Sequence, residues 1–302
     1  IVLLNPKAVI TFIDNNLIFN QLSKELNFIP FIAIQNGLRL PHENANNYHV
    51  QHLFSFGFNE KEYFSKIGYQ VENFHPSGSI QASSFLRRNI SSNLKYDILI
   101  VSSWRGNIGY PIDQVDTMNS MRVMDNLFFK YLNKKNLKVA VILRNERNGP
   151  HWYVPELNLN EEQYYKEIYG DKVIIIDVDF KSRNIYDLIN KSKLIVSGFS
   201  TTVLLEAYGA KKKIMYYNFT DKDIYHSIFN DLIVSKKSDY NSFSKQLDEL
   251  IDISQNDYIK IHSSNMKHYM SFPKNYDIET SISTKIKKII KKNEKNSSRF
   301  TK

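Results

Sequence analysis

The sequence predicts an α/β protein of two domains, each organised on a parallel sheet. Short apolar or β-branched runs alternate with helix-periodic stretches from Ala8 to Tyr217. Each run tends to end in a knot of polar or small residues, and 302 residues exceed the usual size of one domain. Strands separated by helices require crossover connections, which make the strands parallel.

In order, Ala8 to Ile13 reads as a strand ending at Asp14-Asn15-Asn16, with a helix marked by Leu17, Phe19, Leu22 and Leu26. Ile29 to Ile34 is a strand that stops at Gln35-Asn36-Gly37-Leu38-Arg39, and residues 40 to 50 read as loop. His52 to Phe56 is a strand and Glu60 to Ile67 a helix closed by Gly68; Val71 to Phe74 is a strand running into His75-Pro76-Ser77-Gly78. Ser83 to Lys95 reads as a polar bridge. Tyr96 to Val101 then opens a second series, ending at Ser102-Ser103-Trp104-Arg105. It continues with a helix from Pro111 to Asn133, a strand Leu137 to Leu143 ending at Arg144, and a helix Glu161 to Tyr169. A strand Lys172 to Ile176 and a helix Asn184 to Lys191 follow, and after the stretch 194–217 come a loop with Asp221 and His226 and helices Tyr240 to Ile253 and Asp257 to Met270. Ser281 to Lys292 is basic and amphipathic, and the final ten residues read as disordered.

The expected partition is 1–92, 93–275, and a basic helix and tail over 276–302. The chain opens Ile1-Val2-Leu3-Leu4-Asn5-Pro6-Lys7 without an initiator Met or signal-like segment, so the first domain is expected to be incomplete at its start.

With 42% hydrophobic and 24% charged residues the chain is globular, and no apolar run approaches the roughly 20 residues of a membrane helix. Forty basic against 31 acidic residues give a net +9, which suits an anionic substrate or membrane surface. No nucleic-acid-binding module is recognisable, and nucleic acid is not the expected partner. Zero cysteines exclude disulfides and thiolate metal sites and fit a reducing cytoplasm.

The most informative stretch is Leu194 to Gly209, followed by the strand-like Lys213 to Tyr217. An apolar run ends at Ser197-Gly198, and after Ser200-Thr201-Thr202 a helix begins at once, with Glu206 within it. The free amides of a first helical turn, its dipole and these hydroxyls form a natural phosphate cradle at the mouth of a strand. The plainer reading makes Ser200 or Thr201 an ordinary N-cap. Arg144 at a strand end is a candidate bidentate phosphate ligand, and Arg105 a further cation. Asp14, at the end of a strand, is the candidate base, against the alternative of a helix cap; Asn15 and Asn16 are equally suited to capping. Asn15, Gln35, Asn36, Gly37, Arg39, Ser103 and Trp104 are the candidate cleft or acceptor residues, and His75 a second acid–base candidate. Tyr208 fits core packing better than stacking on a ligand. His42, His49 and His52 lack the spacing of a metal site, and no metal or cofactor is expected.

Phe12-Ile13-Asp14-Asn15, Ala33-Ile34-Gln35-Asn36-Gly37-Leu38-Arg39 and Val196-Ser197-Gly198-Phe199-Ser200-Thr201-Thr202 together resemble the bacterial surface-carbohydrate biosynthesis transferases of lipopolysaccharide and capsule clusters, over about residues 8–220. The last stretch, with Glu206 and Lys213 to Tyr217, is similar to the donor-phosphate element of teichoic-acid glycerophosphotransferases and capsule Kdo-transferases. His75-Pro76 resembles the His-Pro pair of sialyl- and Kdo-transferases, which lies in their donor domain, whereas His75 precedes residue 92. The resemblance implies a GT-B-like fold, two Rossmann-like domains facing across a cleft, with the donor held by the second and no metal in the chemistry.

The expectation is therefore a cytoplasmic glycosyltransferase that moves a sugar from a nucleotide donor to a glycan or lipid-linked acceptor of a surface polysaccharide, with peripheral contact to the inner membrane through the basic helix. A non-catalytic nucleotide-sugar-binding protein and a sugar epimerase of the same architecture are the alternatives.

Overall fold

The computed structural model describes residues 6–39, 47–87, 93–104, 112–144, 155–199, 201–220 and 234–300. The chain divides into two compact units, Ile1–Arg88 with Ser264–Lys302, and Asn89–Ser263.

In the first unit β1 (Val9–Thr11), α1 (Leu17–Glu25), β2 (Phe31–Ile34), β3 (His49–Phe54), α2 (Asn59–Lys66), β4 (Gln70–Phe74) and α3 (Ile80–Leu86) follow one another. Among the described residues the four strands are all parallel, in the order β1-β2-β3-β4. Asn16 caps α1 by accepting from the Phe19 amide at 2.9 Å, so Asp14 is not the cap. Alternation along the strands sends neighbours to opposite faces. Phe31 meets Phe19 of α1, with ring centroids 5.3 Å apart, whereas Ile32 and Phe54 look the other way.

The second unit runs β5 (Tyr96–Val101), α4 (Ile112–Leu132), β6 (Val139–Ile142), α5 (Pro155–Tyr169), β7 (Val173–Ile176), α6 (Asn184–Asn190), β8 (Ser192–Ser197), α7 (Thr202–Gly209), β9 (Lys213–Tyr217), β10 (Val234–Ser235) and α8 (Tyr240–Asp252). Among the described residues its six strands are parallel and lie in the order β10-β9-β8-β5-β6-β7. The central strands are continuous apolar runs because both faces are covered. Ile98, Ile100, Val141 and Val196 pack with Phe128 and Tyr131 of α4 and Phe243 and Leu247 of α8.

The helix α9 (Gln255–Tyr269) carries the chain from the second unit to the first, and α10 (Ile278–Phe300) follows. Three features differ from the sequence reading. The stretch read as a polar bridge from Ser83 lies partly in α3, which Ser79 caps through the Ala82 amide at 3.3 Å. Residues 264–302 pack with the first unit, because Ile278, Ile282, Ile286 and Ile289 form one stripe of α10 that covers Ile32 and Phe54. The end of the chain, read as disordered, is helical through Phe300. Among the described residues no helix is long and apolar enough to cross a membrane.

Candidate functional site

In the second unit the strand order fixes where a ligand belongs. From β5 the chain winds outward through β6 to β7, returns to place β8 on the other side of β5, and winds outward again through β9 to β10. The reversal lies between β5 and β8, and open α/β sheets bind ligands beyond the carboxyl ends of such a pair. There Ser102, Ser103 and Trp104 follow β5, Leu143 and Arg144 follow β6, and Gly198 and Phe199 follow β8.

The Ser102 hydroxyl donates to Glu161 Oε1 at 2.5 Å and accepts from the Trp104 amide at 3.2 Å. The same carboxylate oxygen accepts the Arg144 amide at 2.8 Å, and the Arg144 guanidinium donates to the Trp104 carbonyl at 2.7 Å. Glu161, fully buried midway along α5, thus ties the ends of β5 and β6 together. Two polar groups here have no partner among the described residues, the Ser103 hydroxyl and the Trp104 indole N–H, on residues only 1% and 2% exposed. Buried groups of this kind are rare unless a ligand or water completes them.

Thr201 caps α7 by accepting from the Leu204 amide at 3.1 Å. Gly198 is where α4 crosses the turn: a Cβ there would lie 3.0 Å from Met121 Cα. Ser120 of α4 donates to the Gly198 carbonyl at 3.1 Å and accepts the Phe219 amide at 2.8 Å, pinning the turns after β8 and β9.

Two residues expected at the phosphate site have other duties. The Ser197 hydroxyl donates to the Val101 carbonyl at 3.1 Å, bonding β8 to β5. Glu206 is buried on α7 and accepts from Tyr186 of α6 at 2.9 Å, and burial together with the Glu206 charge holds the Tyr186 phenol far above its ordinary range. Tyr208 is fully buried, bonded to His262 at 3.1 Å, as a core residue. Ser200, Arg105, His42, Asp221 and His226 lie outside the described residues.

In the first unit Asp14 is enclosed, at 0% exposure. Its Oδ2 accepts Arg39 Nε at 2.8 Å and the Tyr48 hydroxyl at 3.0 Å; its Oδ1 accepts the Asn36 amide at 3.2 Å and the terminal nitrogen of Arg39. Arg39 also donates to Asn36 Oδ1 at 2.6 Å. Gln35 donates to the Gly37 carbonyl and to Glu60 Oε1, each at 3.1 Å, and accepts the Phe56 amide at 3.0 Å. Burial pushes Glu60 up to about 7. Asp14, Gln35, Asn36, Gly37 and Arg39 therefore form one knot, with Asn15 exposed beside it. Its carboxylate is saturated and sealed, which suits holding the 35–39 turn and leaves no face open to an acceptor hydroxyl. The expected role as a base does not fit this geometry.

His75 belongs to a different cluster. Its Nε2 lies 3.2 Å from His52 Nδ1, and it packs on Phe54 with centroids 5.0 Å apart, on the face that α10 covers. Burial, Lys285 and His52 together lower it to about 4. The two candidate catalytic groups are not brought together. His49 pairs with Ser23 and Glu72 instead, and among the described residues no three potential ligands gather as a metal site.

Sequence reasoning missed Tyr48, Glu60, Glu161 and Ser120. Each acts on a partner at least 17 positions away, such as Arg144 for Glu161, and carries no local signature.

No protein-family model matches the chain, and no curated protein matches its sequence. Solved structures do match. A glycosyltransferase from Rickettsia africae ESF-5 superposes with a TM-score of 0.53 at 13% identity, over 90% of this chain and 73% of that one. UGT89C1 from Arabidopsis thaliana gives 0.50 at 11% identity, over 93% of this chain and 72% of that one. At such identities the likeness is one of fold, two Rossmann-like units of the GT-B kind.

Proposed function

We propose that the chain is a GT-B glycosyltransferase that takes a sugar from a nucleotide-activated donor, with the donor's diphosphate held by the second unit. The observation that carries this reading is the meeting, at the reversal between β5 and β8, of two unpartnered buried donors with the Arg144 strand end and the first turn of α7. In the transfer an acceptor hydroxyl oxygen bonds to the sugar's anomeric carbon as the bond to the diphosphate breaks. The bonding pair leaves with the diphosphate, and the hydroxyl proton passes to a base or to solvent. Charge therefore grows on the leaving phosphate, where the α7 amides, the Thr201 and Thr202 hydroxyls and Arg144 meet it.

The Asp14 knot takes a positioning role in this reading, presenting the 35–39 turn to the acceptor. The three stretches shared with surface-carbohydrate transferases support a bacterial surface polysaccharide as the acceptor class and the cytoplasm as the place of work. Peripheral membrane contact through α10 would rest on its lysines alone, since the isoleucine stripe is committed to the sheet. The enclosure of Asp14 favours one second reading, a nucleotide-sugar-binding protein without turnover.

The test is calorimetry with UDP-, GDP-, CMP- and CDP-linked compounds on wild type, Arg144→Ala and Thr201→Ala. One nucleotide class should bind, at least tenfold more weakly in Arg144→Ala. Wild-type affinity in both variants would move the site elsewhere, and binding with neither transfer nor hydrolysis would select the second reading.

A further inference from the structure

The first unit holds a groove of about 800 Å³ between the β3–β4 side of its sheet and α10. One wall carries His52, Glu72, Asn73 and His75; the other carries Lys285, Lys288 and Lys292, with Thr284 among them. The lysines fall at helical spacing, so they line one face over roughly 10 Å. All three are exposed, and among the described residues none has an ion-pair partner. Glu72 is the groove's own carboxylate, and it already pairs with His49 at 3.4 Å. The stacked His52 and His75 rings stand opposite.

We infer that this groove binds an acidic glycan segment, with its carboxylates or phosphates on Lys285, Lys288 and Lys292 and its hydroxyls on the imidazole and amide wall. A row of unpaired cations calls for a ligand with repeated negative charge, and the volume exceeds what a single small anion fills. Neutral imidazoles, amides and hydroxyls are partners for sugar hydroxyls. The lysines line a concavity, which a chain enters and a flat bilayer does not. The site rests on the glycosyltransferase reading for the word glycan, and would place part of a growing acceptor on the first unit, away from the Asp14 knot.

The experiment measures binding of oligogalacturonate, of neutral maltopentaose and of phosphatidylglycerol vesicles to the full chain at low salt. The variants are Lys285→Gln/Lys288→Gln and, as a control of equal charge loss outside the groove, Lys287→Gln/Lys291→Gln. Oligogalacturonate should bind wild type, lose at least tenfold in affinity in the groove variant and less than twofold in the control. Equal losses in the two variants, equal binding of maltopentaose, or lysine-dependent capture by vesicles without oligogalacturonate binding would each overturn the assignment. Arg144→Ala should leave oligogalacturonate binding unchanged, so a failed nucleotide reading and a failed groove give different results.

Discussion

Arg39 closes on Asp14 as a fork, with Nε 2.8 Å from Oδ2 and the terminal nitrogen on Oδ1, around a carboxylate that no solvent reaches. A bidentate pair of this kind joins two segments separated by a strand and a helix, and it fixes the 35–39 turn by geometry as well as by charge. Removing one partner leaves the other charge buried. Arg39→Ala should cost about 3–5 kcal/mol in urea unfolding, and Arg39→Lys less, since it keeps the charge without the fork. A change under about 0.5 kcal/mol for Arg39→Ala, the scale of an ordinary surface substitution, would show that the pair does not hold the turn.

Two groups in the first unit give opposite dependences of stability on pH. His75 is lowered from 6.5 to about 4, so below pH 6.5 the unfolded chain takes the proton first. Its contribution is present above that pH and fades as the pH falls towards 4. Glu60 is raised from 4.5 to about 7, so the native state holds its proton longer and the carboxyl weighs against folding as pH rises through that window. Glu60→Gln keeps an acceptor for Gln35 and should gain roughly 2–3 kcal/mol at pH 8 with little change at pH 4. A pH-independent effect would mean the carboxyl is not buried as described.

Trp104→Phe separates a ligand-binding indole from a packing one. The ring packs tilted on Tyr164, with centroids 4.8 Å apart, and its N–H is buried without a partner among the described residues. Phenylalanine removes an unsatisfied donor, so the free protein should keep its melting temperature or gain slightly, while donor affinity falls three- to tenfold. Equal donor affinity would remove the N–H from the site.

Gly57 sits against the end of α9, where a Cβ would lie 2.2 Å from the His268 carbonyl oxygen. Backbone cannot yield as a side-chain tip does. Gly57→Ala should destabilise by about 2 kcal/mol or more, the overpacking range. An unchanged melting temperature would mean that the α9 end is not docked there.

In the proposed cradle the counter-charge comes from Arg144 and the amides of α7, and activity should survive added chelator. Strong inhibition by EDTA, restored by a divalent cation, would show that a metal does this work.

Much of the architecture was legible in the sequence because alternating strand and helix patterns are local: Tyr96–Val101 and Lys213–Tyr217 start and stop where their side chains say they must. Capping was legible too, as an ambiguity that Asn16 and Thr201 resolve. What depends on distant partners was not. Nothing near Ser197 says that its hydroxyl will bond a neighbouring strand, and nothing near Glu161 says that it will anchor Arg144. The isoleucines of α10 announced a stripe but not which sheet it covers.

That stripe has a consequence for biosynthesis. Ile32 and Phe54 leave the ribosome before the residues that cover them, Ile278 and Ile282, with the whole of Asn89–Ser263 made in between. The nascent first unit therefore carries a bare apolar face while the second unit is being made, the kind of surface that holdase chaperones bind. Chains ending before residue 278 should accumulate as chaperone-bound or insoluble material, even though all the described strands of both sheets are present in them.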